Sequence, residues 1–208
     1  MAAPLILAFD TSAAACAAAL LQGDHVLVAA DEPMATGQAE RLFPLLDEML
    51  AQAGAGWRDL HGIGVGIGPG NFTGVRLSVS AARGLALSLG RQAIGVSRLE
   101  ALAEGKPRPV AVIEDARRGA VYLQRFDGDR APALIEAPLP DLGALPRTGG
   151  GAALIAGGPI LPAAMPLAVA IARIAARRLG TPQPRPAPLY LRPADAAIAA
   201  DPPPVILP

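Results

Sequence analysis

Leu5-Ile6-Leu7-Ala8-Phe9-Asp10-Thr11-Ser12 sets a continuous apolar run against an acidic residue and two hydroxyls. A short apolar run stopped by polar turn residues predicts a buried strand. The small-residue segment from Ala13 to Leu21 predicts a second strand, Gln22-Gly23-Asp24 a hairpin turn, and Val26 to Ala30 a third strand. The same order returns later in the chain. Laid over the first half without gaps, Asp115 meets Asp10, Gly128 meets Gly23, Asp129 meets Asp24 and Pro138 meets Pro33. Strand, acidic residue, small-residue strand, Gly-Asp turn and third strand occur twice, which predicts a duplicated α/β fold. In that alignment Leu154 to Ala156, followed by Gly157-Gly158-Pro159, parallels the Gly68-Pro69-Gly70 turn of the first half. The Pro-, Gly- and charge-rich stretch Glu104-Gly105-Lys106-Pro107-Arg108-Pro109 reads as a linker, giving domains over residues 1–104 and 105–208.

Working outward, Leu42, Leu45, Leu46, Met49, Leu50 and Ala53 recur at helical spacing. They predict an amphipathic helix from Glu40 to Ala53, with Pro44 in its first turn and Gly54 as a C-cap. Ile63 to Ile67 reads as a glycine-laced strand, and Thr73 to Leu89 as a helix that stops at Gly90. Ile94-Gly95-Val96 is one more short strand, and a helix runs from about Ala164 to Leu179. Beyond it the chain is Pro-rich, and residues 201–208 are expected to be frayed or strapped to the surface.

Of the 208 residues 52% are hydrophobic but only 3% aromatic, so the core must rest on aliphatic side chains and close backbone packing. The 18 basic and 18 acidic residues cancel, which argues against direct binding of nucleic acid through its phosphates. Cys16 is the only cysteine; it excludes an intramolecular disulfide or a Cys-rich zinc site and suits a reducing compartment. The opening MAAPLILAFD carries no basic residue before its apolar run, and that run meets Asp10 too early for a signal-peptide core. No stretch is apolar for the ~20 residues a spanning helix needs. The cytoplasm is the expected location.

Gly66-Ile67-Gly68-Pro69-Gly70-Asn71-Phe72-Thr73-Gly74-Val75-Arg76 is the most informative segment. Glycines between a strand and a helix let backbone N–H groups turn toward an anion, and the helix dipole adds positive potential there. The same residues equally suit a tight connection in which Asn71 or Thr73 caps the helix. No Gly-Lys-Ser/Thr follows, so this is not a Walker loop. On the Thr73–Leu89 helix, Gly74, Ser78, Ala81 and Leu85 form one stripe and Val75, Val79, Ala82, Ala86 and Leu89 the next. That arc is wider than one packed side needs, and it predicts either a second neighbour or a helix sandwiched within its own domain.

Ile6 to Ser12 together with Gly68-Pro69-Gly70-Asn71-Phe72-Thr73-Gly74-Val75-Arg76 resembles the opening and the Gly-Pro-Gly-Ser-Phe-Thr-Gly-Leu-Arg signature of the TsaB family. Asp115-Ala116-Arg117-Arg118-Gly119-Ala120-Val121-Tyr122 is similar to that family's Asp-Ala-Arg-x-Gly-x-x-Tyr segment, and Leu189-Tyr190-Leu191-Arg192 to its closing Tyr-x-Arg. Asn71 for Ser and Val75 for Leu depart from the signature. The resemblance implies an α/β chain of two tandem RNase H-like domains, with mixed sheets flanked by helices, of the sugar kinase, Hsp70 and actin superfamily. It implies a non-catalytic scaffold for N6-threonylcarbamoyladenosine modification of the tRNA adenosine beside the anticodon, binding a catalytic paralogue, TsaD, with the ATPase TsaE. It also implies a homodimer when that paralogue is absent. The expected partner surface is then Leu42, Leu45, Leu46 and Met49 on the first helix with Gly74, Ser78, Ala81, Ala82 and Leu85 on the second.

In the catalytic paralogue a His-x-x-x-His pair on the early helix holds a metal, a spacing that puts both rings on one face. The corresponding stretch here is Gly37-Gln38-Ala39-Glu40-Arg41, and the only histidines are His25 and His61, so no metal site and no cofactor of its own is expected. Asp10, Thr11, Ser12, Gly68, Gly70, Asn71, Thr73, Asp115, Gly157 and Gly158 stand where a vestigial phosphate loop would lie. Arg117 and Arg118 follow Asp115 where a phosphate-hugging turn needs glycines, while Gly157-Gly158 leaves an adenosine contact open, with ATP or ADP bound at the level of a complex. An actin-like phosphotransferase with Asp10 as acid/base residue is the rival reading, and a metallopeptidase a weaker one.

Overall fold

The computed structural model describes residues 3–192. The first sheet has the order β3-β2-β1-β4-β5. It is built from β1 (Leu5–Asp10), β2 (Ala15–Gln22), β3 (His25–Pro33), β4 (Gly62–Gly66) and β5 (Gln92–Val96). Strands β1 to β3 form an antiparallel meander, while β4 and β5 run parallel to β1. The second sheet has the order β8-β7-β6-β9, from β6 (Val110–Asp115), β7 (Val121–Phe126), β8 (Ala133–Ile135) and β9 (Arg147–Thr148). Here too a three-stranded meander is followed by a fourth strand parallel to the first. The molecule is thus an α/β protein with two mixed sheets. Among the described residues no helix is long and apolar enough to cross a membrane.

Alternation along β1 explains how the first sheet is covered. Leu5, Leu7 and Phe9 point to one side, where they pack with α1 (Gln38–Gln52) and α2 (Phe72–Leu89). Ile6 and Ala8 point to the other, where they meet α4 (Leu167–Arg178) and part of α3 (Arg98–Ala103). Both faces are buried, so the strand reads as an unbroken apolar run. The β4 sequence Gly-Ile-Gly-Val-Gly serves the same layering. A Cβ on Gly64 would lie 3.0 Å from the Ala175 methyl of α4, and one on Gly62 2.7 Å from a Leu179 methyl. Glycine and alanine together let α4 lie close against the sheet, which is how a chain poor in aromatics still fills its core.

Helix α4 therefore covers the first sheet although it follows the second in sequence. Helix α3 joins the two sheets. Leu99 and Ala103 pack with Val112 of β6, Ala101 packs under the first sheet, and Glu100 and Glu104 form ion pairs with Arg178 and Arg177 of α4. This six-residue helix was not expected from the sequence; it lies where only the end of a strand and a linker are read.

The structure corrects the alignment of the two halves at the fourth strand. Leu154 to Ala156 is not that strand; residues Ala152–Leu154 form a 3-10 turn, and the strand parallel to β6 is Arg147–Thr148. The glycines after it are Gly149, Gly150 and Gly151. A Cβ on Gly149 would lie 2.2 Å from the Ile113 carbonyl, so this close approach to β6 demands glycine.

Candidate functional site

An open cleft of about 1010 Å³ lies between the ends of β1 and β6. Thr11, Ser12, Asn71 and Thr73 line it from the first half, Glu114, Asp115, Arg117 and Arg118 from the second, and the start of α1 from a third side.

The β1 end is tightly built. Asp10 is 1% exposed, and its carboxylate accepts hydrogen bonds from Ser12 N at 3.0 Å and from Ser12 Oγ at 2.8 and 3.0 Å. Gly66 makes room for it, since a Cβ there would fall 1.9 Å from Asp10 Oδ2. Burial pushes the Asp10 carboxyl above the usual range, an effect that the Arg98 guanidinium and the Ser12 hydrogen bonds partly offset. Asn71 caps α2, its Oδ1 accepting from Gly74 N at 2.9 Å, and Asn71 N donates to the Ser12 carbonyl at 2.7 Å. The helix cap that the sequence offers at Asn71 is thus formed.

Gly74 sits directly on the β1–β2 turn. Thr11 Oγ1 donates to its carbonyl at 2.6 Å, and a Cβ on Gly74 would lie 1.9 Å from the Thr11 carbonyl oxygen. The small stripe of α2 is thus used within the chain. Ser78 is buried, its hydroxyl shared among the carbonyls of Gly66, Gly74 and Val75, and Ala81 and Ala82 lie in the core. Leu42, Leu45, Leu46 and Met49 of α1 are buried in that same core, and Leu85 packs against it. None of Leu42, Leu45, Leu46, Met49, Gly74, Ser78, Ala81 and Ala82 is open to a partner, contrary to the sequence expectation. Both stripes are needed to cover the wide apolar face of the first sheet. Among the residues that α1 and α2 do expose are Phe43, Phe72, Arg76, Ser80, Arg83 and Leu87, the last 83% exposed.

The second half differs. Asp115 is exposed, and its Oδ1 accepts from Arg117 N at 2.7 Å. Arg117 and Arg118 have φ of 65° and 54°, a left-handed turn leading into Gly119. Gly157 and Gly158 do not reach the cleft. They wrap Arg147, whose Nε donates to the Gly158 carbonyl at 2.9 Å, and Gly158 N donates to Leu145 O. The second-half glycine that lines the cleft is Gly150, whose N–H donates to Glu114 Oε1 at 2.5 Å.

Two residues that the sequence reading passed over dominate the electrostatics. Arg98 lies between Glu114, with Nε to Oε2 at 2.7 Å, and Asp10, with Nη1 to Oδ1 at 3.7 Å. The signal available for Arg98 was Ser97-x-x-Glu100 ahead of an apolar run, a helix-start pattern; Ser97 Oγ does accept from Glu100 N at 3.0 Å. Glu114 carried no signal beyond standing next to Asp115. At the start of α1, Arg41 is held by Glu32 and Glu48, and Gln38 Nε2 donates to the Met34 carbonyl. His61 Nδ1 accepts from Leu5 N at 3.1 Å. Among the described residues no three His, Cys, Asp or Glu side chains are grouped to hold a metal ion.

The model of the family TsaD, tRNA N6-adenosine threonylcarbamoyltransferase, matches residues 32–133. The tRNA threonylcarbamoyladenosine biosynthesis protein TsaB of Escherichia coli is 36% identical over 129 residues, 60% of this chain and 55% of that protein. The chain thus spans about half the length of this curated relative. An uncharacterized protein of Mycobacterium tuberculosis is 34% identical over 157 residues, 67% of this chain and 74% of that protein. A crystal structure from Pseudomonas aeruginosa, described as similar to the peptidase YeaZ, superposes with a TM-score of 0.74 at 27% identity, covering 91% of this chain and 100% of that one.

Proposed function

The chain belongs to the TsaB (YeaZ-like) family, and from that premise we propose that it serves tRNA N6-threonylcarbamoyladenosine biosynthesis as a subunit without chemistry of its own. In this reading it binds and activates a catalytic subunit of the TsaD type in the cytoplasm, with the ATPase TsaE completing the assembly. A second copy of the chain takes the partner's place when TsaD is absent. ATP or ADP contacts belong to the assembled complex.

The observation that carries the reading is the start of α1. Residues 32–133 are similar to the transferase family, yet where a metal-binding transferase needs two histidines this chain has Gly37, which offers no side chain, and Arg41, clasped by Glu32 and Glu48. A cleft without nucleotide hydrolysis of its own is supported by Asp10, whose carboxyl accepts from Ser12 and has the Arg98 cation beside it. We read the two sheets as tandem RNase H-like, actin-like domains divided between residues 104 and 105, with α4 of the second stretch crossing back to cover the first sheet, a reading supported by the meander-plus-parallel-strand order the sheets share. The partner surface in this reading keeps the two helices but turns to their outer side, Phe43 on α1 with Arg83 and Leu87 on α2.

Reconstituting the tRNA modification from purified TsaD, TsaE and the threonylcarbamoyl donor, with and without this chain, tests the proposal. Product is expected only with the chain present; equal product without it would overturn the reading.

A further inference from the structure

Among the described residues, the Arg98 side chain forms a polar joint between the two sheets. Arg98 is the first residue of α3, and its own N–H donates to the Gly68 carbonyl at 2.7 Å, fixing it to the loop after β4. Its guanidinium then spans from Asp10 at the end of β1 to Glu114 at the end of β6, at 3.7 and 2.7 Å. Glu114 passes the connection on through its other oxygen to Gly150 N. The side chains of Arg98, Asp10 and Glu114 are 19%, 1% and 14% exposed, so solvent and salt screen this group far less than a surface pair. A planar guanidinium offers diverging N–H groups to two carboxylates at once, which a compact ammonium does not reproduce. Helix α3 is itself held by the Glu104–Arg177 and Glu100–Arg178 pairs with α4, so the bridging cation stands on a fixed base.

We propose that Arg98 is an internal counter-ion, standing between the carboxylates of the two halves where a ligand-borne cation would otherwise be needed, and that it latches the cleft at one width with nothing bound. The inference concerns this chain alone and does not depend on the tRNA pathway assignment. It follows from the geometry that loss of the guanidinium removes the bridge between the Asp10 and Glu114 carboxyl groups and leaves the two strand ends untied at this point.

The test uses the full chain carrying Ala51→Cys on α1 and Ala133→Cys on β8, both exposed, with Cys16 buried and unlabelled. Spin labels at the two sites report the separation of the halves by pulsed electron resonance. A narrow distance distribution is expected with Arg98 in place, unchanged on adding magnesium and ATP. Arg98→Ala should broaden it with a longer-distance shoulder, and Arg98→Lys should recover part of the narrow form. An unaltered distribution in folded Arg98→Ala, or a shift of the unsubstituted chain on adding magnesium and ATP, would overturn the latch. Should Arg98→Ala fail to fold, Glu114→Gln carries the test: it keeps an oxygen for Gly150 N but loses the charge. Broadening supports the latch and an unaltered distribution refutes it.

Discussion

Asp10 and Asp115 close equivalent strands, β1 and β6, and each carboxylate accepts a hydrogen bond from the backbone N–H two residues further on. Around Asp10 the chain then closes completely: Gly66 yields space, α2 begins directly over the turn with Gly74 against Thr11, and the carboxylate is sealed. Around Asp115 nothing of the kind happens. Strand β9 has only two residues and leads into a 3-10 turn rather than a long helix, so the Asp115 turn stays open to the cleft. The same carboxylate-to-N–H contact is therefore a piece of the core in one half and a rim in the other. The difference lies in what the fourth strand is followed by and in the turn itself, which is left-handed at Arg117 and Arg118 and at no residue of the turn that follows Asp10 in the first half.

The contrast can be broken most forcefully at its glycines. Gly74→Ala sets a methyl into the Thr11 carbonyl and is expected to cost about 3 kcal/mol, whereas Gly119→Ala in the second turn, with φ of 76° and open space around it, should cost about 1 kcal/mol. Urea titration followed by circular dichroism measures both; equal losses would mean that the two turns are not packed differently.

A pH series sharpens the comparison of the carboxylates. Burial raises the folded-state pKa of Asp10 above its unfolded value, so its contribution to stability is fully present below the unfolded value and is lost as pH rises through the folded one. Asp10→Asn should remove this fall from the stability curve. Asp115→Asn should leave the fall in place and shift stability by no more than about 0.5 kcal/mol. A last contrast sets two glycines of α2 against each other. Gly84 has open space where a Cβ would stand, so Gly84→Ala should raise stability by about 1 kcal/mol, opposite in sign to Gly74→Ala.

Much of this architecture was legible in the residues. The apolar run of β1, the Gly-Asp turn after β2 and the periodic leucines of α1 each carry their own period, and the structure places those elements within a few residues of the reading. What the sequence hid has physical causes. Helix α3 is too short to show a period, and β9 is two residues long, so the glycines of the second half were matched at Gly157-Gly158 instead of Gly149 to Gly151. In an alanine-rich helix a stripe that fits a partner and a stripe that fits the chain's own turn look alike; only the placement of Thr11 against Gly74 decides between them. The pairing of Arg98 with Asp10 and Glu114 joins three separate elements, and no local spacing announces it.

The most direct test of the proposal that the chain works through a helix face rather than through its cleft is tRNA modification reconstituted with two variants side by side. Leu87→Glu combined with Arg83→Glu, which alters the exposed side of α2 and no buried contact, is expected to abolish product, while Asp10→Asn is expected to support it. Full product from the helix variant together with none from a folded Asp10→Asn protein would contradict the account.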